Sequence, residues 1–231
     1  MFPFSMEEVA CREVKRNEPS AGMDETSSRR PLKSRSSRWA GWMAAKLARS
    51  GATPNGISAA SVGFALAGGL LFVAAGQGWV WSWAGWVAGA LCVQARLICN
   101  LLDGMVAIEG GKKSATGDIW NEAPDRFADA LLLVGAGIGC GHPWLGAGAA
   151  WAAAMTAYVR ALGASLTGAQ DFSGPFAKPQ RMAALTGGAV ATAFYPPVMG
   201  IVLWVVCLGT VFTVFRRLAR LAKILKQRRE G

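Results

Sequence analysis

Two polar stripes interrupt an otherwise apolar chain. Within 79–108, Asn100, Asp103 and Ala107 fall at i, i+3 and i+7 with Gly104 beside them, so they share one helical face. Gly117, Asn121, Asp125 and Asp129 follow at intervals of four on a second face, flanked by Glu122 and Arg126. Ionisable residues inside apolar segments are costly, and by default they mark a site. Carboxylates and amide carbonyls without His or Cys suit a hard cation, Mg²⁺ or Mn²⁺. Such an ion binds a pyrophosphate and stabilises the charge that develops when a phosphate bond breaks. Plainer readings are hydrogen bonding between two helices, or a proton relay in a transporter. Two facing stripes with Lys and Arg nearby favour metal–phosphate chemistry.

Other chemistries are narrowed by composition. The single histidine, His142, excludes sites built on several imidazoles and argues against a Ser-His-Asp triad. Cys11, Cys92, Cys99, Cys140 and Cys207 are odd in number, lack metal-ligand spacing and mostly sit in apolar runs, so no cysteine chemistry follows. The net charge of +10 sits at the ends: +4 over residues 1–49, +6 over 216–231, and zero between. An apolar body with basic ends points to positive-inside anchoring and anionic lipid, not to nucleic acid.

The elements that carry the stripes are membrane helices. With 231 residues, 52% hydrophobic, 16% charged and a mean hydropathy of +0.30, the chain is too apolar for an ordinary soluble domain. Ten Trp and 29 Gly suit interfacial belts and close helix packing. Residues 1–36 read as a disordered polar leader without a secretory signal, and 37–231 as one membrane domain. Trp39, Trp42, Met43 and Leu47 alternate with Arg38, Lys46 and Arg49, which predicts an interfacial amphipathic helix from Ser37 to Arg49.

Spans are expected at about 56–76, 79–108, 117–139, 144–165, 181–195 and 197–219. The loops after the second and fourth carry Lys112, Lys113, Lys178 and Arg181, whereas those after the first, third and fifth carry no Lys or Arg. That alternation predicts an all-α, six-span protein of a bacterial-type inner membrane with both termini cytoplasmic. Gly85-x-x-x-Gly89 and Gly135-x-x-x-Gly139 are helix-packing signals, and the glycine-rich 135–141 run lacks the strand-to-helix context of a nucleotide loop.

The stretch Asn100-Leu-Leu-Asp103-Gly104-Met-Val-Ala107-Ile108, eight residues, Gly117, three residues, Asn121, three residues, Asp125 resembles the CDP-alcohol phosphotransferase signature. That signature reads Asp-x-x-Asp-Gly-x-x-Ala-Arg, eight residues, Gly, three residues, Asp, three residues, Asp. Thr53-Pro54-Asn55-Gly56-Ile57-Ser58 is similar to the family's Thr-Pro-Asn-x-Ile-Thr entry to its first span. Tyr158-Val-Arg160-Ala161 and Lys178-Pro-Gln-Arg181 are similar to regions of its phosphoinositol-type members. The likeness covers about residues 37–220. Three positions depart: Asn100 and Asn121 stand for acids, and Ile108 for the arginine. Asn ligates through its carbonyl oxygen but brings no charge, so a second ion would be held weakly; Glu122 or Asp129 would restore part of that charge. Arg126, Lys112 or Lys113 would replace the missing arginine.

The resemblance implies the six-helix family fold and transfer of a phosphatidyl group from CDP-diacylglycerol, or a similar CDP-alcohol, to a small polar alcohol or alcohol phosphate, with release of CMP. It implies Mg²⁺ or Mn²⁺ on Asn100, Asp103, Asn121 and Asp125, with Asp125 also the catalytic base. The nucleotide is placed at Asn55, Gly104, Ala107 and Gly117, and the acceptor phosphate at Arg126, Arg160, Lys178 and Arg181. Lipid tails stay in the bilayer, and a homodimer through the glycine-rich faces fits the family. The alternatives are a degenerate member that binds CDP-lipid without turnover, and a small-solute transporter with Asp103, Asp125 and Asp129 as its proton path.

Overall fold

The computed structural model describes residues 37–109 and 116–230, the side chains of Glu109, Asp118, Asn121 and Glu230 excepted; the expected leader, Lys112 and Lys113 lie outside them. Seven α-helices make up the fold, with no strand among the described residues: α1 (Arg38–Arg49), α2 (Pro54–Gly76), α3 (Ser82–Glu109), α4 (Gly117–Gly139), α5 (Pro143–Thr167), α6 (Lys178–Thr192) and α7 (Val198–Glu230). Three of them, α2, α3 and α7, are long and apolar enough to cross a membrane, which makes this an integral membrane chain. The helix α4 carries too many charges at one end to join them. At 15 residues α6 spans only about 22 Å, less than the roughly 30 Å of a hydrocarbon core.

Local chemistry sets the helix boundaries. Thr53 caps α2, its hydroxyl accepting the Gly56 N–H at 3.1 Å, and Pro54 occupies the first turn, where its missing N–H is harmless. The Thr-Pro-Asn entry is therefore a helix start as well as a motif. Gly168, at φ 76°, closes α5 with the left-handed turn that glycine adopts without strain. The last helix runs eleven residues beyond the expected end at 219, because no Gly or Pro follows Gly209 until the terminal Gly231, and Leu, Ala, Lys and Arg sustain the helix.

The centre of the bundle is a seam of small residues. Helix α2 packs against both α3 and α4, α5 against α4 and α7, and α6 against α3 and α7. A side chain on Gly69 would put its Cβ 2.5 Å from the Leu131 carbonyl oxygen, and one on Gly135 would come within 2.6 Å of the Gly69 backbone. Backbones so close exclude any larger residue. Both expected glycine pairs are engaged inside the chain, Gly85 and Gly89 against α2 and Gly139 against Phe72, so these faces are not available to a second copy. Phe72, Trp86, Val93, Leu132 and Leu185 fill the core around them.

The first helix covers Arg38–Arg49. Its packed face is Ala40 and Ala44, which join Ile57, Leu101, Leu102, Met105 and Val106 in a second core beneath the end of α3. Trp39 and Trp42 point outward, and Lys46 lies over the Trp42 ring at 5.1 Å. Small residues let α1 approach α3, and the bulky pair is left at the surface.

Candidate functional site

Helices α3, α4 and α6 bring the polar stripes together in two layers. The inner layer is closed. Asp129 lies between two arginines, accepting from Arg96 at 2.6 Å and from Arg181 at 3.0 Å, and all three are buried. Arg181 also donates to the Thr156 hydroxyl at 3.3 Å and to the Phe176 carbonyl at 3.1 Å. Among the described residues, Arg96 Nε and Nη1 and Arg181 Nε find no hydrogen-bond partner, so the layer holds more donor capacity than Asp129 can accept.

The outer layer is half open and surrounds Asp125. Its Oδ1 accepts from the Asn100 amide and, at 3.3 Å, from Arg96; its Oδ2 takes the Lys178 ammonium and lies 3.7 Å from Arg126. Because a carboxylate offers only acceptors here, the Asn100 amide must turn its NH₂ toward Asp125, and its carbonyl oxygen accepts from the Ser61 hydroxyl at 2.7 Å. Pro124 sits inside α4 one residue before Asp125; it supplies no N–H to the preceding turn, at the helix end that carries the cluster.

Asp103 makes no hydrogen bond to these cations. It is buried, yet its oxygens accept from neutral donors: the Ser58 hydroxyl at 2.8 Å and the Gly104 N–H at 2.5 Å. A buried carboxylate held by neutral groups needs counter-charge, and an added hard cation would supply it. The Asn100 carbonyl belongs to the same helical face. No group of three His, Cys, Asp or Glu side chains that could hold a metal occurs among the described residues. Asp103, a buried carboxylate without a cationic hydrogen-bond partner among the described residues, is the place where one divalent cation could be held. A second does not fit at Asp125, whose acceptor sites face N–H donors.

The other expected site residues divide by position. Asn55, Gly104, Ala107 and Gly117 are half-buried at helix ends, and the Asn121 side chain lies outside the described residues. Arg126 and Arg160 converge on Glu122, Arg160 at 2.6 Å and Arg126 at 3.4 Å, beside a groove of about 610 Å³ lined by Ile119, Ala123 and Tyr158. Arg160 also lies 5.4 Å from the Phe172 ring. Two expectations need correcting. Neither Glu122 nor Asp129 restores charge beside Asp103, since the first pairs with rim arginines and the second is clamped by Arg96 and Arg181. Arg181 does not face the open cluster, because its guanidinium is buried in the inner layer.

Three participants were missed: Arg96, Ser58 and Ser61. A signal existed for Arg96, which sits four residues before Asn100 and so shares the face of Asn100 and Asp103. Ser58 lies in the Thr-Pro-Asn stretch, but its bond to Asp103 joins residues 45 apart and has no local trace.

No protein-family model matches the chain, and neither does any curated protein. Solved structures do match. The phosphatidylinositol phosphate synthase PgsA1 of Mycobacterium tuberculosis with CDP-DAG bound has a TM-score of 0.69 at 22% identity, covering 80% of this chain and 94% of that one. The same protein with manganese and citrate gives 0.68 at 22%, covering 79% and 88%. Its apo form gives 0.65 at 22%, covering 77% and 93%. The chain shares that protein's fold.

Proposed function

We propose that this chain is a membrane-bound CDP-alcohol phosphotransferase, moving a phosphatidyl group from CDP-diacylglycerol or a similar CDP-alcohol to a small polar alcohol or alcohol phosphate and releasing CMP. One observation carries the reading: Ser58 bonds Asp103 at 2.8 Å, so the two motif segments that resemble this family meet at one carboxylate. The shared fold supports it, since the neighbour of that fold was solved with CDP-DAG in one case and manganese in another. Helices lie over the six segments expected as spans, with α2, α3 and α7 long and apolar enough to cross, and the basic loops after the second and fourth support a six-span topology with both termini in the cytoplasm.

In this reading Asp103, with the carbonyls of Asn100 and Asn121, would hold a Mg²⁺ or Mn²⁺ ion, the Asn100 oxygen using the lone pair that Ser61 leaves free. Bound there, the ion would neutralise pyrophosphate oxygens and favour departure of CMP. Gly104, Ala107 and Gly117 let the nucleotide approach the backbone, and Asn55 borders it. The acceptor hydroxyl oxygen attacks the phosphorus that carries the diacylglycerol. The pyrophosphate P–O bond breaks, CMP keeps its electron pair, and Asp125 Oδ2 takes the hydroxyl proton. Lys178 has three donors and gives one to Asp125, so it reaches a phosphate at the same time. Arg126 and Arg160 hold the acceptor phosphate at the groove, exchanging Glu122 for it, and Arg181 acts by positioning through Asp129.

The test is CMP release by the purified chain from CDP-diacylglycerol with Mg²⁺ or Mn²⁺ across a panel of alcohols and alcohol phosphates. Release that requires a metal and one acceptor is expected, and Asp125→Ala should lower it by about 10²-fold or more. Full activity in that variant would remove Asp125 as the base. CDP-lipid binding without CMP release would instead make the chain a binding member of the fold, a reading that the close pairing of Asp125 with Lys178 and Arg96 also supports. Transport has less support, since Asp129 is clamped by two buried arginines and offers no step in a proton path.

A further inference from the structure

We infer that Asn100 and Lys178 together replace a second divalent cation, so that the chain takes one metal ion rather than two; this rests on the metal site proposed at Asp103. An aspartate at position 100 would set its carboxylate directly against that of Asp125, an arrangement that needs a cation between them. The amide removes the need. It donates to Asp125 Oδ1, and one lone pair of its carbonyl accepts from Ser61 at 2.7 Å. On the opposite oxygen, the Lys178 ammonium occupies the place where positive charge is required, and Arg96 adds a second fixed cation at 3.3 Å. Asp125 is thus neutralised by the protein itself. An ammonium is strongly hydrated and compact, so it can stand beside a phosphate as a metal does, but it cannot be removed by a chelator. Asp103 has only neutral hydrogen-bond partners among the described residues and keeps the call for an ion.

The experiment counts Mn²⁺ by electron paramagnetic resonance on the full chain in nanodiscs with CDP-diacylglycerol. One bound Mn²⁺ per chain is expected for the wild type, and two, with the line broadening of a coupled pair, for the double variant Asn100→Asp/Lys178→Met. Two ions in the wild type overturn the inference while leaving the metal reading intact. No bound ion overturns both it and the metal part of the proposed function. A double variant that folds and still binds one ion removes Asn100 and Lys178 as the cause. Asn100→Asp alone provides a readout that does not depend on the double variant folding. In chelator its melting temperature should fall by about 4 °C or more, with recovery when Mn²⁺ is added. An unchanged melt in chelator contradicts the inference.

Discussion

The two polar layers use the same residue types and differ in what surrounds them. Asp129 is enclosed between two buried arginines, and Thr156 and the Phe176 carbonyl fix the fork of Arg181. Around Asp125, one turn away on α4, the buried Arg96 is joined by the Asn100 amide and the partly exposed Lys178, and Asp125 is itself partly exposed, while Asp103 nearby is held by neutral donors. The inner layer suits holding three helices in register. The outer layer suits exchanging partners during binding. A carboxylate in a helical bundle is thus structural or functional according to whether its counter-charges can leave.

The sharpest way to break this contrast is Asp129→Ala. It leaves Arg96 and Arg181 buried without their carboxylate, at a cost of about 3–5 kcal/mol, and should prevent a stable fold in detergent as followed by thermal unfolding. A small shift would dissolve the distinction between the layers. Asp103→Asn should do the opposite, keeping the melt near that of the wild type while lowering metal-dependent CMP release by about 10²-fold or more. Ser58→Ala separates support from chemistry more finely. Loss of the hydroxyl that orients Asp103 should weaken Mn²⁺ affinity by about 10- to 100-fold, read by titration, with the helices intact.

The smallest effect lies outside both layers, at Asp171 in the loop between α5 and α6. Partial burial pushes its carboxyl up, but hydrogen bonds from Ser173 and the nearby Arg220 outweigh this and hold it below the ordinary carboxylate range. A lowered carboxyl stabilises the fold above its unfolded value, about 3.9, and that contribution fades as pH falls through the folded value. Hydrogen exchange at the Ser173 amide, which donates to Asp171 at 2.8 Å, should quicken below about pH 4 relative to neighbouring amides. Protection that is flat across this range would detach the loop from that carboxyl.

What could be read in the sequence followed from period and punctuation. Helices lie over the six segments expected as spans, because apolar runs, Gly and Pro are local signals, but only α2, α3 and α7 are long and apolar enough to cross; the faces of Asn100–Asp103 and Asn121–Asp125–Asp129 follow from spacing alone. Partnership was not legible. Asp129 and Asp125 occupy one stripe a single turn apart, yet one meets Arg181 and the other Lys178, and that choice is made by how α6 lands on α3. Nor was the face of α1 that meets α3 legible: Ala40 and Ala44 make the contact, while Trp39 and Trp42, read as interfacial, are exposed.

The length of α7 carries a consequence of its own. Its 33 residues make a rod of about 50 Å, some 20 Å more than a hydrocarbon core is thick. Arg217 grips the Thr156 and Ser173 carbonyls, Arg220 holds the Ser173 hydroxyl, and Arg228 the Thr167 carbonyl, so the overhang is lashed to the segment that leads into Lys178. Arg216, Lys223, Lys226 and Arg229 remain exposed and would cling to anionic headgroups at roughly 1 kcal/mol each. The rod then works as a depth gauge. It would set the waterline of the molecule, and with it the depth at which Lys178 lies.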